Sequence, residues 1–132
     1  MPHIIIEYAE QLAADAEVAA ILQAVHHAIV DSGLFKANQI KTRAYPFKQF
    51  TNAGGNDPYI HIQARIKSGR DADNKKRLGE VILAGLSALK INASVITVEI
   101  IDMDRDSYGK HVPKQQWDCL LRGGYYQFTF SL

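Results

Sequence analysis

At 132 residues the chain has the length of one domain, enough to bury about two thirds of the surface its unfolded form would expose. Its 15 Lys and Arg residues nearly balance 14 Asp and Glu, for a formal net charge of +1. No basic block marks a nucleic-acid or membrane-surface partner. The single cysteine, Cys119, excludes an intrachain disulfide and a multi-cysteine metal site, and no apolar run nears the roughly 18 residues of a membrane span, so a cytoplasmic protein is expected.

The segment Met1-Pro2-His3-Ile4-Ile5-Ile6-Glu7 puts a proline beside the initiator and runs straight into β-branched residues, which predicts a strand at the terminus. Loss of Met1, which the small Pro2 side chain permits, leaves a secondary amine held at the edge of a sheet. Such an amine can serve as a general base. The plainer reading is that Pro2 only begins a strand, where a residue without an N–H is tolerated.

Next, Val18, Ile21, Leu22, Val25 and Ile29 recur at steps of three and four, predicting an amphipathic helix from about Asp15, its N-cap, to Asp31, with Ser32-Gly33 as the stop. Gln39 to Tyr45 alternates as a second strand, with Ile40, Thr42 and Ala44 on one face and Lys41, Arg43 and Tyr45 on the other. Pro46 interrupts it, and Phe47 to Thr51 is a candidate short edge or hairpin before the loop Asn52-Ala53-Gly54-Gly55-Asn56-Asp57-Pro58.

The pattern then repeats. Ile60, Ile62, Ala64 and Ile66 face one way and His61, Gln63 and Arg65 the other, after which Asp71 or Asp73 caps a helix striped by Leu78, Val81, Ile82, Leu86 and Leu89. Ala93 to Ile101 is a fourth strand. Each half is thus a β-α-β unit with parallel strands, and together they predict an α+β fold: a four-stranded sheet with two helices on one face. The expected organisation is a single domain over residues 1–132, with halves at about 2–50 and 59–101 and an extension over 102–132. The many strand isoleucines and valines predict an apolar patch on the uncovered face, and hence an oligomer. Within the extension, Gly123-Gly124 precedes an aromatic run to Leu132 that reads as a short strand without an assigned role.

The Met-Pro-His-Ile-Ile-Ile-Glu opening, the two β-α-β halves, the cationic strand Lys41-Thr42-Arg43 and the run Ile66-Lys67-Ser68-Gly69-Arg70 ahead of the second helix resemble the 5-carboxymethyl-2-hydroxymuconate isomerase branch of the tautomerase superfamily, over roughly Pro2 to Trp117. The resemblance implies a homotrimer, a small carboxylate substrate, Pro2 as catalytic base and no cofactor. It also implies Arg70 as a pocket cation and the Lys41-Thr42-Arg43 strand as a second cationic contribution. At the first basic position of that strand an arginine is expected; this chain has Lys41, a point charge without the planar fork that grips a carboxylate bidentately. A solvated basic face is the bland alternative for Lys41 and Arg43.

Other residues carry weaker signals. His26-His27 point in different directions without a third ligand at a telling spacing, so no metal site is expected. His3, His61 and Glu99 fit structural roles or a pocket wall, Cys119 a packing role, and Tyr108 and Trp117 either a wall or a core cover. The expected activity is proton transfer in an unsaturated 2-hydroxy or 2-oxo carboxylic acid such as 5-carboxymethyl-2-hydroxymuconate. Tautomerisation of another substrate, such as an arylpyruvate, and a non-catalytic oligomeric binding protein are the alternatives.

Overall fold

The computed structural model describes residues 1–14 and 17–113. Four strands, β1 (His3–Ala9), β2 (Lys41–Phe47), β3 (Tyr59–Lys67) and β4 (Val95–Met103), form one sheet in the order β2-β1-β3-β4. β1 runs parallel to β2 and β3 parallel to β4, while the central pair β1 and β3 is antiparallel, with Ile6 opposite Ile62. A helix stands between the strands of each parallel pair, α1 (Val18–Asp31) in the first and α2 (Ala72–Ser87) in the second. Both predicted β-α-β units are present.

Side-chain alternation decides the layering. Ile4, Ile6 and Tyr8 of β1 and Ile60, Ile62, Ala64 and Ile66 of β3 are buried in one cluster with Ile21, Val25 and Ile29 of α1 and Leu78, Ile82 and Leu86 of α2. Burying each large aliphatic side chain contributes about 1.5–3 kcal/mol, so this layer is what fastens both helices to one face of the sheet. The helices approach closely at Gly85, where a Cβ would lie 3.1 Å from Ala28 Cβ and 3.3 Å from the Ala24 carbonyl oxygen. α2 starts as expected at Asp71, whose Oδ1 accepts from the Asn74 backbone N–H at 2.8 Å.

Several expectations need correction. α1 begins at Val18 with Glu17 as its N-cap, because a 3-10 turn, Glu10–Ala14, occupies the preceding segment and buries Leu12; the predicted cap Asp15 lies outside the described residues. Pro46 does not interrupt β2 but sits within it opposite Tyr8, since β2 is an edge strand and a missing N–H is tolerated there. Residues 48–51 form no strand; the chain instead reverses between Asn52 and Gly55, which exchange two backbone hydrogen bonds at 2.9 Å.

The uncovered sheet face is mixed. It carries His3, Glu7, Lys41, Arg43, His61, Gln63, Arg65 and Glu99, and with them Ile5, Tyr45, Phe47, Tyr59, Val95 and Ile101, of which Tyr45 and Val95 are exposed. The apolar residues expected on this face are thus present, interleaved with polar ones. Among the latter, His61 Nδ1 lies 2.7 Å from Thr97 Oγ1 and Nε2 lies 3.3 Å from Glu99 Oε1. Trp117, Cys119 and the predicted strand after Gly124 lie outside the described residues.

Candidate active site

The strand register brings both halves to the start of the chain. His3 is opposite Lys41 on one side and Arg65 on the other, so two residues outward the terminus meets Gln39 and Lys67. The Met1 amine donates to the Gln39 carbonyl at 2.9 Å, and the Lys41 backbone N–H donates to the Pro2 carbonyl at 3.0 Å. Pro2 itself is buried. The predicted base is therefore fixed by strand pairing and not left on a free tail.

One wall of the site is the turn after α1. Gly33 has φ of +74°, a conformation that glycine adopts without a Cβ penalty, and it redirects the chain into Leu34 and Phe35. Two arginines from the second half hold this turn: Arg77 Nη2 donates to the Ser32 carbonyl and Arg70 Nη2 to the Leu34 carbonyl, each at 2.7 Å. The Arg70 guanidinium also stacks 4.8 Å from the Phe35 ring centre. Gly69, with φ of +121°, makes the bend that leads into Arg70, and Arg105 closes over it by donating from Nε to the Ser68 carbonyl at 2.6 Å.

These elements enclose an open cleft of about 510 Å³ that includes Met1 in its lining. Among the described residues six cationic side chains line it, Lys36, Lys41, Lys67, Arg70, Arg105 and Lys110, and no Asp or Glu does. Burial, followed by the Lys41, Lys67 and Lys110 charges, pushes the Met1 amine below the usual α-amine range. The same causes disfavour the ammonium form of any amine at this position.

Of the predicted site residues, Arg70 and Lys41 are brought to the cleft with the terminus, and Arg43 is not part of its lining. Arg43 turns along the open sheet face instead, where its Nη1 lies 3.2 Å from His3 Nδ1. His3 Nε2 in turn lies 2.8 Å from the Tyr108 hydroxyl, and that hydroxyl donates to Met1 Sδ at 2.7 Å. Tyr108 is thus tied to the start of the chain behind Met1, a residue of the cleft's lining, and is not one of the buried core residues. Burial first, then Arg43, Lys41, the terminal amine and Arg65, hold the His3 imidazole below its ordinary pKa.

Sequence reasoning missed Lys36, Lys67, Arg105 and Lys110 as members of the cleft. Lys67 was accessible in principle, because antiparallel pairing of β1 with β3 puts the end of β3 beside residue 1; the other three stand in connecting segments that local pattern reads only as polar turns. Among the described residues no group of three or more His, Cys, Asp or Glu is placed to hold a metal ion. None of the helices there is long and apolar enough to cross a membrane.

Two β-α-β halves in one sheet, with a basic cleft around the first residues, are the fold and site of a chain that the family comparison places among isomerases. The family model for 5-carboxymethyl-2-hydroxymuconate isomerase matches residues 2–111, and the chain belongs to that family. It is 24% identical over 84 residues to the 5-carboxymethyl-2-hydroxymuconate Delta-isomerase of Escherichia coli, covering 62% of this chain and 67% of that one. The fold is similar to that of a 5-carboxymethyl-2-hydroxymuconate isomerase from Deinococcus radiodurans R1, with TM-score 0.70, 22% identity and coverage of 83% of this chain and 87% of the other. It is also similar to a fused 4-OT asymmetric trimer, with TM-score 0.71, 17% identity and coverage of 82% and 91%.

Proposed function

We propose that the chain is a cofactor-independent tautomerase of an unsaturated 2-hydroxy or 2-oxo dicarboxylic acid such as 5-carboxymethyl-2-hydroxymuconate, with Pro2 as general base once Met1 is removed. The observation that carries this reading is the concentration around the terminus of six cations and, among the described residues, no carboxylate. A substrate with two carboxylates offers partners for several of them, Arg70 and Lys41 included.

In the reaction, the Pro2 amine takes the proton of the enol hydroxyl, the O–H electron pair becomes the carbonyl π bond, and the conjugated double bonds shift along the chain. The distant carbon then takes the proton back from the ammonium. One group serves both steps best when its pKa lies near the working pH, and burial with neighbouring cations lowers an amine at this terminus from its ordinary value. The structural neighbours described as trimers support a homotrimer.

The test is ketonisation of 2-hydroxymuconate and its 5-carboxymethyl derivative followed by ultraviolet absorbance, on protein whose loss of Met1 is verified by intact mass. A rate well above buffer that collapses in Pro2→Ala, which keeps a terminal amine but loses the rigid secondary one, supports the reading. Equal rates for the two proteins would remove Pro2 as the base.

A further inference from the structure

Arg43, His3, Tyr108 and Met1 form a single line of polar contacts from the open sheet face to the cleft, at 3.2, 2.8 and 2.7 Å. The direction of each hydrogen bond follows from chemistry. A guanidinium only donates, so His3 Nδ1 accepts from Arg43 and carries no hydrogen. Burial and the Arg43, Lys41 and Arg65 cations around the ring disfavour the imidazolium, so the neutral form is the one that fits this site. Its one hydrogen is therefore on Nε2 and is donated to the Tyr108 oxygen. That leaves the tyrosine's own hydrogen for whatever lies on the far side, which in this chain is the Met1 sulfur.

The Met1 side chain stands between the Tyr108 hydroxyl and the cleft, and Lys67 Nζ lies 5.6 Å from the centre of the Tyr108 ring. Removal of Met1 therefore opens the tyrosine's hydrogen to the cleft beside Pro2. We propose that Tyr108 is a second catalytic residue of this site, donating a hydrogen bond to the substrate's C2 oxygen as negative charge develops on it, with His3 and Arg43 as positioning residues that fix the direction of the donor. The inference rests on the Pro2 reading. Tyr108 keeps its proton throughout: Pro2 removes the enol hydrogen, and the phenol stabilises the oxygen it leaves behind.

The substitution Tyr108→Phe deletes the hydroxyl and keeps the ring. In Met1-processed protein it is expected to lower kcat about a hundredfold with KM changed by no more than about twofold, as for loss of one oxyanion donor. His3→Leu is expected to lower kcat less, to be partly rescued by His3→Gln, whose amide N–H can replace the Nε2 donor, and to add nothing in the Tyr108→Phe background. A wild-type kcat for Tyr108→Phe, alongside an inactive Pro2→Ala, would overturn the proposal and leave the base reading intact. Ring-nitrogen NMR of His3 reads the relay without any turnover. A neutral ring protonated on Nε2 supports it, and an imidazolium or an Nδ1-protonated ring at neutral pH overturns it, whichever way the Pro2 comparison falls.

Discussion

Lys41 and Arg43 stand two residues apart on one face of β2 and serve different neighbours: Lys41 lines the cleft, whereas Arg43 lies 3.2 Å from His3 Nδ1 on the open face. A shared strand face places two side chains on the same side of the sheet, but strand rise carries the second about 6–7 Å further along. That distance takes Arg43 past the rim. The two cations should therefore be separable by kinetics.

Lys41→Met is expected to raise KM for a dicarboxylic dienol by about tenfold or more, the effect of losing a hydrogen bond to a charged group. The measurement belongs at a pH where the amine is fully deprotonated, so that loss of the Lys41 charge acts on binding alone. An unchanged KM would assign Lys41 to the solvated surface.

The acid limb of the kcat/KM profile should fall below the usual α-amine range. The amine at this position is destabilised as a cation by burial and by Lys41, Lys67 and Lys110. Its conjugate acid therefore loses a proton at lower pH, and activity is lost only when pH drops through that lowered value. Lys67→Met removes one repelling charge, raises the pKa and should move the limb to higher pH; a limb that stays in place would mean that the lysine charge is screened.

Ala53 occupies the left-handed region, with φ of 52°, ahead of Gly54 at 82°. Both central residues of the Asn52–Gly55 reversal thus have positive φ, the backbone of a turn that favours Asn-Gly. Left-handed backbone costs an alanine about 1 kcal/mol, so Ala53→Asn is expected to raise Tm by a few degrees in a thermal melt. A lower Tm would show that the turn is held by its surroundings and not by its own preference.

Ile62 faces Ile6 across the central strand pair, and both are fully buried. Ile62→Ala should cost about 2–5 kcal/mol in a denaturant titration, the usual range for a truncated core isoleucine. Ile62→Val should cost about 0.5–1.5 kcal/mol by the same measure. A cost for the alanine variant under about 1 kcal/mol would mean that the layer between sheet and helices collapses around the gap.

Much of this was legible in the chain. The alternation of Ile60, Ile62 and Ile66 fixed which face of β3 is covered, and Asp71 announced α2, because both signals are local and backed by burial. Arg70 was legible only through the family resemblance that the run Ile66-Lys67-Ser68-Gly69-Arg70 helps to carry, since the run by itself reads as a turn. Lys67 and Tyr108 were not, since their roles depend on which strands pair and on a turn that returns to β1 from far along the chain. Pro46 misled for a related reason: whether a proline breaks a strand depends on whether that strand is at an edge, which local sequence does not state.

The antiparallel meeting of β1 and β3 has a consequence for how this protein can change. The terminus and Lys41 come from the first half, while Lys67, Arg70, Arg105 and Lys110 come from the second or follow it. Neither half owns the cleft. A shift in charge pattern in one half is felt at once by chemistry carried in the other, so a new substrate preference has to be negotiated by both, and two copies of either half alone would not reproduce the site.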